Sequence, residues 1–133
     1  MREFDKQTEH DIMNLRDIAA NLGGSIVATS KYQAFHKADQ QFQNDPQAQD
    51  LLRQYKESQQ MLQLMRQMGS NTIEETHHME DLQEVIDANR TLMNYSQAQE
   101  QLIALLRELN EFISARLDLD FSGLTKPQRG CCG

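Results

Sequence analysis

At 133 residues the chain is the size of one domain, and its hydrophobic fraction of 38% falls below the globular average of roughly 45–50%. With 13 basic and 20 acidic side chains it carries a net charge of −7, which repels phosphate backbones and argues against direct nucleic-acid binding. No apolar run approaches the roughly 18–20 residues of a membrane-crossing helix, and the start MREFDKQTEH has no apolar signal core. A cytoplasmic protein with reduced thiols is therefore the expectation.

Gly and Pro are scarce, at 6 and 2 copies, and Trp is absent. Gln, Leu, Glu, Asp, Ala and Met dominate, and β-branched residues are few. Most of these residues are good helix formers. The expected fold class is all-α, with narrow apolar stripes rather than a thick globular core.

The first helix is expected from about Thr8 to Ala28, where Ile12, Leu15, Ile18, Ala19, Leu22 and Ile26 recur at helical spacing. Gly23-Gly24 interrupts it, and marks either a bend or a close helix contact, since mid-helix glycine costs about 1 kcal/mol relative to Ala. Thr29 or Ser30 can cap a second helix with Tyr32, Phe35, Ala38 and Phe42 along one face. NDPQAQDLL then marks a restart. Asp45 suits the N-cap of a third helix, and Pro46 its first position, where a missing N–H is harmless. That helix is expected to run to about Met68, roughly 35 Å, with Gly69 just past its end.

GSNTIEE is a well-marked turn, in which Thr72 and Glu75 are expected to form a capping box. The following helix carries Met79, Leu82, Val85 and Ile86, and is expected to break or bend at DANRT, because Asn89 and Thr91 favour caps. The last segment, Leu92 to about Leu117, is the most regular. Tyr95, Ala98, Leu102, Leu105, Leu106, Leu109, Phe112 and Ile113 form one continuous face.

Two long helices joined by a tight turn imply an antiparallel helical hairpin with the N-terminal helices packed on it. A single helical domain is expected over 1–120. Residues 121–133, FSGLTKPQRGCCG, show no helical period and read as a Gly/Cys-containing tail anchored by Phe121 and Leu124. Stripes this long and thin leave one side wet in a lone hairpin. A homodimer or larger helical bundle is therefore expected, with Leu102, Leu105, Leu109 and Phe112 at the interface.

Little points to catalysis. No nucleophile elbow, phosphate-binding Gly loop or zinc-protease motif is present. In ETHHMED, His77 and Asp81 share one helix face and Glu74 and His78 another. Each face offers two ligand types where zinc needs three or four, so a solvated face is expected. His10 and His36 have no partners at ligand spacing. The two cysteines, Cys131 and Cys132, stand outside every apolar stripe. An unused reducible tail, a vicinal disulfide, a soft-metal site and part of an iron–sulfur site all remain open for them. A cluster needs about four thiolates, so it would draw on another chain.

LRDIAANLGGSIVATSKYQAFHKADQQFQNDPQAQDLLRQY combines an amphipathic helix, a Tyr/Phe…Ala helix and an Asp-Pro restart into paired leucines. NRTLMNYSQAQEQLIALLRELNEFISARLDLDF and FSGLTKPQRGCCG close the chain. In this order and spacing they resemble the YlbF/YmcA family of small helical bacterial regulators (the Com_YlbF domain), over about Asp11 to Gly133. The resemblance implies a non-enzymatic role in competence, sporulation and biofilm development. It also implies assembly with paralogous chains into a complex that carries iron–sulfur clusters and is associated with endoribonuclease Y and transcript maturation. Only Cys131 and Cys132 match the family's cysteine-rich ending, and they are adjacent and only two. The expectation is a regulatory adaptor working through helical protein–protein contacts, without a required cofactor. The alternative is a metal or iron–sulfur sensor subunit using Cys131 and Cys132 with a partner's thiolates.

Overall fold

Six helices in sequence order build the chain in a computed structural model that describes residues 2–126. They are α1 (Arg2–Val27), α2 (Ser30–Gln43), α3 (Pro46–Gln67), α4 (Ile73–Ala88), α5 (Arg90–Leu117) and α6 (Phe121–Thr125), with no strand among the described residues. The expected all-α fold is observed.

The helix boundaries follow local chemistry. Thr29 caps α2 by accepting from the Tyr32 N–H. Asp45 caps α3 by accepting from the Ala48 N–H at 3.0 Å, with Pro46 in the first turn. Asn89 ends α4 in extended backbone and caps α5 by accepting from the Leu92 N–H. At the end of α3, Gly69 takes φ +69°. Its N–H donates to the Arg66 carbonyl and that of Ser70 to the Met65 carbonyl, the paired bonds of a Schellman ending.

Four local expectations are corrected. Gly23-Gly24 does not interrupt α1, which runs through both glycines with open space around each. The helix also starts well before Thr8, because Arg2–Glu9 is rich in helix formers although it carries no apolar stripe. The Thr72–Glu75 capping box is absent. The Asn71 side chain accepts from the Ile73 N–H instead, and the Thr72 carbonyl takes both the N–H and the hydroxyl of Thr76. Finally, residues 121–125 are a short helix rather than aperiodic chain. The Asp120 side chain caps it by accepting from Gly123 N–H, and the Phe121 N–H ties it back to the Ser114 hydroxyl.

The hairpin has two jointed arms. α2 and α3 make one arm, broken at Asn44-Asp45, and α4 and α5 the other, broken at Asn89. α3 packs against α4 across the turn, and α2 packs along α5. Phe35 and Phe42 of α2 flank Tyr95 of α5, with ring centroids 5.6 and 5.1 Å away. Further along, Lys31 Nζ donates to Gln101 Oε1 at 3.1 Å, which fixes the antiparallel sense. The two breaks are tied together, because the Thr91 hydroxyl donates to the Asp45 carboxylate.

The core is thin. Among the described residues the buried apolar side chains are Ala38, Ala48, Leu62, Leu82 and Leu92. Burying each leucine contributes roughly 1.5–3 kcal/mol. The two alanines let helices approach closely where the arms break and pair.

Candidate interaction surface

α5 is the longest helix, at 28 residues, and only its first half lies along α2. The expected interface residues sit on its second half. Leu102, Leu105 and Leu109 are half-buried, whereas Phe112 is 64% exposed, with the Arg116 guanidinium 5.7 Å from its ring centre. Leu106 and Leu117 are exposed as well. Asn110, beside them, has its side-chain oxygen shielded from solvent without a hydrogen-bond partner.

The expectation that the N-terminal helices pack on the hairpin holds for α2, whereas α1 keeps a second apolar surface largely open. It packs on little besides the start of α2. Ile12, Leu15 and Ile18 are each more than half exposed, and Leu22 is exposed too. The available signal was spacing. Ile12, Leu15, Ala19, Leu22 and Ile26 recur at alternating intervals of three and four residues, and so do Leu102, Leu105, Leu109 and Phe112. That alternation places each row on one face of its helix.

The α1–α2 junction holds α1 in place by local bonds. The Thr29 hydroxyl donates to the Ile26 carbonyl at 2.6 Å while accepting from the Tyr32 N–H. The Gln33 amide donates to the Val27 carbonyl at 2.7 Å.

The histidine-rich stretch behaves as a solvated face. His77 Nδ1 lies 3.3 Å from Glu80 Oε2, and both side chains are largely exposed, as are His78 and Asp81. Among the described residues no group of three or more His, Cys, Asp or Glu side chains is placed to hold a metal ion. Cys131 and Cys132 lie outside the described residues.

Charge on the arms is locally paired. On α3, Arg53 bonds Asp50 and, at 2.8 Å, Glu57, and the Gln54 amide adds a bond to Asp50. The Arg53 bond is the chief cause that keeps the Asp50 carboxyl below its ordinary range, and Asp50 in turn raises the guanidinium. The Asp45 carboxyl is lowered mainly by the Thr91 hydroxyl, then by the Ala48 N–H. The grooves between the arms are shallow. One of about 600 Å³ is lined by Gln59, Leu62, Gln63, Arg66, Gln67 and Met79, mostly amides and apolar side chains. Among the described residues no helix is long and apolar enough to cross a membrane.

Compared with protein families, residues 15–118 match the profile described as "Control of competence regulator ComK, YlbF/YmcA". The chain belongs to the Com_YlbF family. The matched span opens at Leu15 within α1 and closes at Asp118, the C-cap of α5, so it takes in the whole hairpin and the apolar row of α1 except Ile12. No curated protein and no solved structure matches the chain. Membership in Com_YlbF places it among regulators of competence, and the role of this chain is accordingly regulatory.

Proposed function

We propose that this Com_YlbF protein is a non-enzymatic adaptor that regulates by offering helical surfaces to other proteins. The observation that carries this is the exposed apolar row of Ile12, Leu15, Ile18 and Leu22 on α1, together with the exposed Phe112 and Leu117 near the end of α5. Monomeric proteins seldom leave apolar side chains in contiguous exposed rows, and rows of this kind mark protein contacts. The family's description as a competence regulator supports the same reading.

Its partners in this reading are paralogous YlbF/YmcA-like chains and endoribonuclease Y, with transcript maturation as the process regulated. The acidic surface fits an adaptor that reaches RNA through a nuclease rather than by touching phosphates itself. Pull-down of the tagged full chain from its native cell under anaerobic conditions tests this. The expected result is recovery of paralogous chains and the nuclease at defined stoichiometry. Recovery of the bait alone would sink it. Metal content measured on the same sample decides whether Cys131 and Cys132 join thiolates of a partner.

A further inference from the structure

α3 passes the break between α4 and α5, and there the three helices leave a half-open cavity of about 410 Å³, within the roughly 300–1,000 Å³ of small-molecule sites. Its apolar lining is Leu52 and Tyr55 of α3, Ile86 of α4, and Leu92 and Tyr95 of α5. Leu92 is buried and the other four are half-buried. Lys56 is the one charged side chain that lines it, and the rest of the lining is neutral amide and hydroxyl. We infer that this cavity binds a small amphipathic carboxylate, an apolar chain or ring that ends in one negative charge. The inference goes beyond the protein contacts proposed above and does not depend on them.

Three observations select that ligand class. First, apolar and aromatic walls with few polar groups are the usual make-up of a ligand pocket, and they favour an apolar body. Second, the local charge runs against that of the chain. Acidic side chains outnumber basic ones by 20 to 13, and α4 alone carries six carboxylates with no Lys or Arg, yet no carboxylate lines the cavity. A cationic ligand finds no counter-charge there, whereas an anion meets Lys56. Third, Lys56 is uncommitted. Its neighbour Arg53 takes up Asp50 and Glu57, and among the described residues Lys56 makes no ion pair or hydrogen bond. The Tyr55 and Tyr95 hydroxyls have no intramolecular hydrogen-bond partner among those residues either, so both can donate to a ligand oxygen. An exposed lysine keeps its ammonium in water. The bound carboxylate therefore stays at the solvent edge, and its apolar part enters the cavity. Because the walls belong to α3 and α5, an occupant bridges the two halves of the jointed hairpin.

The probe is decanoate, titrated calorimetrically into the full chain below its micelle concentration, with decyltrimethylammonium as a cationic control of equal tail length. The expected result is one saturable decanoate site per chain, with the control weaker by about tenfold. Lys56→Glu should weaken decanoate by about fivefold or more, and Ser96→Phe, which fills the cavity from its exposed edge, by about tenfold or more. Circular dichroism checks that both variants fold. Methyl NMR of the unsubstituted chain locates the site independently of either variant, and Leu52, Ile86 and Leu92 should shift together on titration. Absence of saturable binding overturns the proposal. So does equal affinity for the two probes, which marks apolar adsorption without selection for charge. Unchanged affinity in a folded Ser96→Phe overturns it as well, as do methyl shifts confined to Ile12, Leu15 and Ile18, which put the tail on the open face of α1.

Discussion

The Thr91 hydroxyl, in the first turn of α5, donates to the Asp45 carboxylate that caps α3. One side chain thus serves two helix starts on opposite arms. This is the level at which both arms break, so the bond keeps the two joints in register.

A pH dependence follows. The Thr91 bond and the Ala48 N–H hold the Asp45 carboxyl below its ordinary value of 3.8. Lowering in the folded state means that the unfolded chain binds this proton more readily. The stabilisation is complete above 3.8 and is lost as pH falls through the lower folded value. Asp45→Asn keeps a good cap but removes the charge. It should leave the neutral-pH melting temperature within a few degrees of wild type and flatten its decline in acid. Thermal melts of both proteins across the acidic range check this. A Thr91→Val, Asp45→Asn double-mutant cycle should show non-additivity, as expected of direct partners.

Two glycines make opposite predictions. Gly69 holds a left-handed φ of +69°, so Gly69→Ala should destabilise by about 1–2 kcal/mol from backbone strain alone, since open space surrounds the site. Gly24 lies within the continuous α1 with nothing near it. Gly24→Ala should stabilise that helix by about 0.5–1 kcal/mol. Calorimetry of both variants against wild type decides, and the same sign for both would contradict the backbone assignment.

Tyr95 is the keystone of the α2–α5 contact, between Phe35 and Phe42. Removing a half-buried aromatic costs less than removing a buried one. Tyr95→Ala should cost about 2–3 kcal/mol, and Tyr95→Phe, which keeps both ring contacts, under about 1. Urea denaturation measures both.

Leu105 sits half-buried, near where α5 leaves the cover of α2. Leu105→Asp should both weaken self-association and lower stability, by about 1–3 kcal/mol, because it places a charge on partly covered apolar surface. An unchanged melting curve together with an unchanged sedimentation profile would remove Leu105 from the interface.

What could be read from the sequence was whatever a single residue's chemistry decides. Asp45-Pro46, Gly69 and Asn89 mark helix ends because cap geometry and φ are local properties, and all three ends lie where the sequence places them. The Thr72–Glu75 box did not form, and Asn71 caps the start of α4 instead by accepting from the Ile73 N–H. The extra turns of α1 carry no apolar stripe, and α6 is too short to show a period. Periodicity also marks an apolar face without naming its cover. It gave no sign that α2 would take the inner half of α5 while α1 stood clear. The spacing on α1 was visible, but its exposure became evident only once the hairpin had closed without it.

α5 crosses from the paired half of the molecule to the exposed half without a break, a rod of about 42 Å. Tyr95 stands on its paired half, and Phe112 on its exposed half. With no Trp in the chain, tyrosine emission dominates, and only three tyrosines contribute to it. One of those three rings is Tyr95, so tyrosine emission carries a contribution from the packing that joins α2 to α5.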